Sequence, residues 1–197
     1  MDLFPIGFGG EDLDMSTSSI RALKPNVNRE EALRTFSAPG LSTFYWRMRS
    51  GPLQRMADVY VPFSLYTTRY EMAQTTVRRF FALDAVDGSL DLFQFSHIPE
   101  PEQFVTVATR NFLPPSLCEA RANDVLREKV LRLIFQQGFF KLREPKLEIT
   151  REPSELHVPY WLGFYGDGIL KCRVLDAVRR RFEGAKASAF FEAWLAA

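Results

Sequence analysis

Residues 61–66 read VPFSLY and residues 83–86 read LDAV. A similar string, VPYWLGFY, occupies residues 158–165, and LDAV itself recurs after it at 175–178, so the order is the same. The offset is 97 residues for the first pair and 92 for the second, so only the segment between the two strings changes length. This pattern predicts an internal duplication of a unit in which a helix precedes an antiparallel sheet. The alternative is a chance identity of four letters.

The first unit is predicted at residues 28–96, after an irregular N-terminal arm at 1–27 that is rich in glycine, serine and threonine. Asn28 and Glu31 have the spacing of a capping box, which predicts a short helix that Pro39 and Gly40 end. Beyond it, β-branched and aromatic residues alternate as is typical of strands. The predicted strands lie at 44–49, 59–70, 77–84 and 90–95, with Asp87-Gly88 as a tight turn.

The second unit is predicted at residues 116–197, after a connection at 97–115 that holds one further candidate strand at 104–109. Ser116 and Glu119 predict a capping box at the start of the longest helix, and Gly138 is a suitable end. Strands are expected at 139–142, 146–149, 157–165 and from 169 to about 176, and a closing helix is expected after Gly184. Residues 174–184 also fit a helical period, so their state stays open. The expected fold class is α+β, with two related helix-plus-antiparallel-sheet halves in one compact domain.

The order of these segments resembles the repeat unit of PepSY-type domains. In that unit a helix is followed by strands with a proline-containing aromatic segment and by a hairpin that ends in a motif like DAVDG at 84–88. The second copy departs from this pattern, because Arg179 and Arg180 stand where Asp87 and Gly88 close the first turn. The resemblance covers about half of the chain. It implies a binding or regulatory module rather than an enzyme.

Composition places the chain among ordinary globular proteins. It has 197 residues, 46% of them hydrophobic, with 25 Lys and Arg against 24 Asp and Glu. Such values exclude global disorder and a coiled coil. A net charge of +1 gives no overall field that attracts polyanions, so nucleic acid is an unfavoured partner.

The compartment is expected to be the cytoplasm. The first ten residues contain no Lys or Arg and no long apolar run, unlike a secretory signal, and no window is apolar enough for a membrane-spanning helix. Cys118 and Cys172 stand far apart with no CxxC pair, so we expect two reduced, buried thiols. Neither a metal nor another cofactor is expected.

Aromatic side chains supply the first set of candidate binding residues. Because strand neighbours point to opposite faces, the two repeated strands place aromatic rings on both sides of their sheet. Either the helices of the same chain cover the second side, or a partner or apolar ligand does. The candidates for such contact are Tyr66, Tyr70, Tyr160, Trp161 and Tyr165.

Each repeat also carries one proline and one aspartate. Pro62 and Pro159 lack a ladder donor, which predicts an edge position or a bulge. Asp84 and Asp176 lie where a strand runs into a turn, so they are either turn-formers or, if they converge, a pair of catalytic carboxylates. His157 is the third candidate of this polar site.

One further cluster is basic. Residues 179–181 read RRR, with Lys171 and Arg173 nearby, and either form a solvated charged face or bind phosphate.

The expected function is that of a non-catalytic binding module. It would bind a protein partner or an apolar small molecule through the aromatic strand faces. Self-association is a further expectation, because the arm at 3–8 and the terminal helix with Phe190, Phe191 and Trp194 both offer apolar surface. The alternative is a small hydrolase or transferase with a pocket between the two halves that uses Asp84, Asp176 or His157. No residue is assigned as catalytic.

Overall fold

The computed structural model describes residues 17–38, 40–72, 75–136, 146–166 and 171–196. These residues contain four helices and a mostly antiparallel sheet, which confirms the α+β class. In chain order the elements are β1 Ser18–Leu23, α1 Arg29–Ser37, α2 Leu41–Ser50, β2 Leu53–Met72, β3 Thr75–Asp84, β4 Phe93–Phe95, a 3-10 turn at Pro101–Gln103, β5 Phe104–Thr109, α3 Glu119–Gln136, β6 Leu147–Tyr165, β7 Lys171–Asp176, β8 Arg181–Phe182 and α4 Ala185–Ala196.

Two long strands, β2 and β6, form the centre of the sheet. They run antiparallel, and the two repeated segments lie directly against each other, with Val61 opposite Val158. The strand order is β4-β3-β2-β6-β1-β5, while β7 pairs with the far end of β6 and β8 pairs with β7. The β1–β6 contact is parallel and pairs Ala22 with His157.

The prediction that both prolines lie at an edge or a bulge is wrong. Pro62 and Pro159 are on the two central strands, away from the register shifts of the β2–β6 pair. In an antiparallel strand the N–H and C=O of one residue point to the same side. Here the two proline carbonyls accept the amides of Ala85 (2.8 Å) and Ala177 (3.1 Å), just beyond the ends of β3 and β7. The N–H that each proline lacks would therefore point beyond the end of the neighbouring strand, where the hydrogen bonds between the strands have already ended.

Alternation along the central strands divides the core between the two faces of the sheet. One face carries the main cluster, in which side chains of β2 and β6 pack against Phe190 and Phe191 of α4. The other face is covered in separate places by α3, by α1 and by the β1–β5 pair. The strand residues of the main cluster include Val59, Val61, Phe63, Leu65, Leu156, Val158, Tyr160, Leu162 and Phe164.

Helices α1 and α3 each pack across the boundary between the two predicted units, in addition to contacts within their own unit. Helix α3 of the second unit packs on Phe81 and Leu83 of the first, and α1 of the first unit packs on Tyr165 and Leu175 of the second. The segments before the two helices make matching bonds. Asn26 donates through its amide N–H to Ala177 O (2.8 Å) and through Nδ2 to Val178 O (2.7 Å). Ser116 donates through its N–H to Ala85 O (2.8 Å) and through Oγ to Val86 O (2.7 Å).

The capping-box prediction holds for one helix and fails for the other. At α1, Glu31 N–H donates to Asn28 Oδ1 (2.9 Å) and Asn28 N–H donates to Glu31 Oε2 (3.0 Å), as expected. Helix α3 instead begins at Glu119, and Ser116 lies ahead of it, where its hydroxyl donates to Val86 O of the other unit. The distant acceptor could not be recognised from local spacing.

Three predicted elements differ from the structure. Residues 44–49 are part of helix α2 rather than a strand, since the helical spacing of Leu41, Phe44, Tyr45 and Met48 outweighs the weak strand preference of the aromatic residues. Residues 18–23 of the supposed irregular arm form β1, whose mixed polar sequence is a strand because β5 pairs with it. The strands expected at 146–149 and 157–165 are one strand, β6, because pairing with β2 continues through its polar middle.

Several other predicted elements agree with the structure. The strands within 59–70, 77–84 and 104–109 are confirmed, as are the end of β7 at Asp176 and the closing helix. The strand expected at 90–95 is shorter and covers Phe93–Phe95. The expectations at 139–142 and at Gly138, and most of the arm, lie outside the described residues.

Candidate functional site

The five aromatic candidates lie beneath the protein's own helices or in its main core. Tyr66 and Tyr70 are 1% and 5% exposed and pack under α3. Tyr165 donates its hydroxyl to Phe36 O of α1 (3.2 Å), and the Trp161 indole donates to Val27 O (3.0 Å). Tyr160 packs on Phe191 of α4, and burial raises its pKa well above 10. The side chains of this one chain therefore fill the second face of the sheet.

Asp84 and Asp176 each bind the amides of their own turn. Asp84 accepts from Asp87 (3.1 Å) and Gly88 (2.8 Å) at Oδ1 and from Leu90 (2.9 Å) at Oδ2. Asp176 accepts from Val178 (2.8 Å) and Arg179 (2.7 Å) at Oδ1. Both side chains are fully buried, and burial raises the pKa of Asp84 and raises that of Asp176 to about 6. These contacts are those of turn-forming carboxylates.

His157 lies at the junction of β1 and β6. Its Nδ1 is 3.3 Å from Arg21 O, and its ring meets Phe112 edge-on with 6.2 Å between centroids. Burial lowers the pKa of this imidazole, so its neutral form is favoured. The histidine therefore joins the β1–β6 contact to the segment that follows β5.

Helix α2 exposes a continuous apolar stripe that the strand interpretation of 44–49 missed. Four large side chains point to solvent at i, i+3, i+4 and i+7: Leu41 (91% exposed), Phe44 (62%), Tyr45 (60%) and Met48 (74%). Its other side is fixed to the core, where Trp46 packs on Tyr165 with 5.8 Å between ring centroids. We call these four side chains the α2 face. Their helical spacing is visible in the sequence and could have indicated it.

A second surface feature is a basic cleft of about 500 Å³ between α3, the residues around β4, and the turn that leads into α4. Its cations are Lys129 and Arg132 of α3, Arg179 of the turn between β7 and β8, Arg181 of β8, and Lys186 of α4, and Asp91 adds one carboxylate. Of the basic cluster that the sequence indicated, Arg179 and Arg181 line this cleft and Lys171 and Arg173 do not, whereas its other cations come from distant segments.

The two cysteines differ from each other. Cys172 is buried in the main core, and burial raises the pKa of its thiol to about 12. Cys118 is exposed just before α3, so the prediction that both are buried is wrong for this one. The described ranges contain no group of three His, Cys, Asp or Glu side chains that could hold a metal ion.

Neither family models, nor curated proteins, nor solved structures give a match to this chain. The resemblance to PepSY-type domains therefore stays a prediction. None of the helices in the described ranges has the length and apolar character needed to cross a membrane.

Proposed function

We propose that this protein is a non-catalytic interaction module that binds a protein partner through the α2 face. The observation that carries this proposal is the exposure of Leu41, Phe44, Tyr45 and Met48 in one helical register. Scattered exposed apolar residues are ordinary, but a contiguous stripe on one helix is typical of a docking surface. Helix-in-groove recognition uses this i, i+3, i+4, i+7 spacing.

Charge indicates which partner fits the α2 face. Helix α2 carries Arg47 and Arg49 and no acidic residue. A second copy of α2 packed against the first would bring like charges together, which weakens association. The partner is therefore an amphipathic segment with apolar side chains flanked by Asp or Glu.

The aromatic and acidic candidates support a structural role better than the other functions considered. The enclosed cavities beside Tyr70 and Tyr66 hold about 10 Å³ each, roughly the space of one water and too little for an apolar ligand. Asp84 and Asp176 are occupied by turn amides, which does not favour the hydrolase or transferase alternative.

We also propose that the two repeated segments come from a duplicated unit. Ala85 and Ala177 donate to Pro62 and Pro159, at corresponding places of the two copies. Ser116 and Asn26 make side-chain bonds to Val86 and Val178, which again correspond. Matching long-range bonds support common ancestry more strongly than four identical letters do.

Selection from a displayed library of helical peptides tests the interaction function. The peptides keep apolar residues at the helical spacing and vary Asp, Glu, Lys and Arg elsewhere. We expect the full chain to select acidic peptides. The double variant Phe44→Ser/Met48→Ser should bind them at least about tenfold more weakly, because central aromatic contacts dominate such interfaces.

Ile98→Ser is the matched control, since Ile98 is another exposed apolar residue but lies outside α2. It should bind the selected peptides as the parent chain does, with far-UV circular dichroism unchanged in all variants. Selection of basic peptides, or equal binding by the double variant, contradicts the proposal. Sedimentation of a dimer that the double variant dissociates would assign the α2 face to a second copy instead.

A further inference from the structure

The basic cleft is built by segments that are far apart in the sequence. Lys129 and Lys186 come from α3 and α4, and Arg179 comes from the turn between β7 and β8. A volume of about 500 Å³ lies in the range of small-molecule sites, roughly 300–1,000 Å³. The cleft is distinct from the α2 face, with which it shares no lining residue.

Arg179 is held in place before any ligand arrives. Its guanidinium stacks on the Phe93 ring at 3.5 Å and donates through Nη2 to Leu92 O, and its Nε is 3.8 Å from Asp176 Oδ2. Its side chain is about one-fifth exposed. A fixed, desolvated guanidinium binds an oxyanion with little loss of side-chain entropy.

The two lysines of the cleft are close enough to affect one another. Burial lowers the pKa of Lys129, Asp84 opposes this effect, and the Lys186 cation lowers the pKa further. Lys129 donates to Leu90 O, whereas Lys186 makes no hydrogen bond or ion pair within the described part of the chain. An anion between the two lysines would relieve their repulsion.

Asp91 is the carboxylate that a ligand would replace. It lines the cleft and lies 3.5 Å from Arg181 Nη2 in an exposed ion pair. Arg181 also pairs with Glu183 at 3.2 Å. Exposed pairs contribute little stability, so a multivalent anion can displace Asp91 from Arg181.

We propose that the basic cleft binds a small molecule that carries two or more phosphate charges. Guanidinium and ammonium groups converge there from three directions, and such groups are the usual partners of phosphate oxygens. In the first unit the corresponding turn reads Asp87-Gly88 instead of Arg179-Arg180, so Arg179 has no basic counterpart there.

Calorimetric titration with inorganic pyrophosphate at low ionic strength tests this site in the full chain. We expect saturable binding that Lys186→Ala weakens about tenfold, since one charge-assisted contact is lost. Lys24→Ala removes an exposed lysine that does not line the cleft, and it should leave the affinity unchanged. Asp91→Asn should strengthen binding several-fold, because the competing carboxylate is gone.

The same chain is added to phosphatidylcholine vesicles with and without phosphatidic acid, to separate a free phosphate from a lipid headgroup. Binding of pyrophosphate without binding of either vesicle supports the proposal. Binding to the acidic vesicles alone overturns it. An absence of saturable binding also overturns it. Equal weakening by Lys186→Ala and Lys24→Ala overturns it too, because surface charge alone would then explain the binding.

Discussion

At the scale of single residues, the two buried aspartates differ in the hydrogen bonding of one carboxylate oxygen. Asp84 uses both carboxylate oxygens to accept amides, whereas Asp176 Oδ2 is buried with no hydrogen-bond partner. The nearest charge to that oxygen is Arg179 Nε, at 3.8 Å. Burial raises the pKa of Asp176 to about 6, since two amide bonds and this arginine only partly replace the lost water.

This raised pKa makes the stability depend on pH in a defined direction. The folded chain holds the Asp176 proton more tightly than the unfolded chain does. The contribution of protonated Asp176 to the free energy of unfolding is therefore fully present below about pH 4 and is lost as pH rises through about 6. Asp176→Asn cannot ionise and keeps the oxygen that accepts both amides. We expect urea unfolding to show that this variant gains about 2–3 kcal/mol relative to the parent between pH 4.5 and 7.5.

Asp84→Asn is the matched comparison for that measurement. Its new NH₂ group would face the Leu90 N–H that Asp84 Oδ2 now accepts, so a buried donor loses its acceptor. We expect it to be less stable than Asp176→Asn by about 1–3 kcal/mol at neutral pH. A difference between Asp176→Asn and the parent that stays constant with pH would show that Asp176 is not the titrating group.

At the scale of elements, the packing of α1 on β6 depends on a glycine, Gly163, which has no side chain to meet Phe36. A Cβ at Gly163 would lie 2.7 Å from two ring carbons of Phe36 and 3.2 Å from Leu53 Cδ1. Phe36 is 1% exposed and packs in the cluster around α1, so its ring cannot turn into solvent without leaving that cluster. Gly163 thus sets the distance between the helix and the strand.

Gly163→Ala is expected to lower the free energy of unfolding by about 1–3 kcal/mol, because the added methyl group overpacks the contact with Phe36. Chemical denaturation followed by circular dichroism measures this loss. Gly184→Ala serves as the control, since its Cβ would meet nothing within 4 Å, and it should cost less than Gly163→Ala, because it loses only the preference for glycine over alanine at the N-cap of α4. Equal effects of the two substitutions would show that α1 adjusts without strain.

At the scale of the whole molecule, the crossed helices tie the two predicted units into one core. Leu126 of α3 is fully buried against strands of the first unit. The three tryptophans, Trp46, Trp161 and Trp194, pack instead in the clusters around α1 and α4. Tryptophan fluorescence therefore reports on regions that α3 does not touch directly.

Leu126→Ala should destabilise the chain by about 2–5 kcal/mol through the cavity that it leaves. If the core is one cooperative unit, tryptophan fluorescence and far-UV circular dichroism will give the same, lowered midpoint in urea. A fluorescence transition that keeps the midpoint of the parent chain would show that the two ends of the sheet unfold separately. Leu126 can be changed for this purpose because it lines neither the basic cleft nor the α2 face.

Local sequence signals predicted the elements whose cause is local. The Asn28–Glu31 box started α1, and alternation gave the strands around residues 59–70 and 77–84. Local sequence signals gave wrong predictions where a residue or strand far away in the sequence determines the local structure. Ser116 bonds to Val86 instead of capping its own helix, and β1 is a strand because β5 lies beside it.

The candidate sites follow the same division. The sequence by itself determined the α+β class, the two similar segments and the position of Asp84 and Asp176 at the ends of strands, because hydrophobic period and turn chemistry are properties of neighbouring residues. Only the tertiary structure decided that the aromatic strand faces are covered, that α2 presents its apolar stripe to solvent, and that α3 and α4 bring lysines to Arg179. Exposure and the convergence of charges depend on which distant elements pack together, and that information is spread over the whole chain.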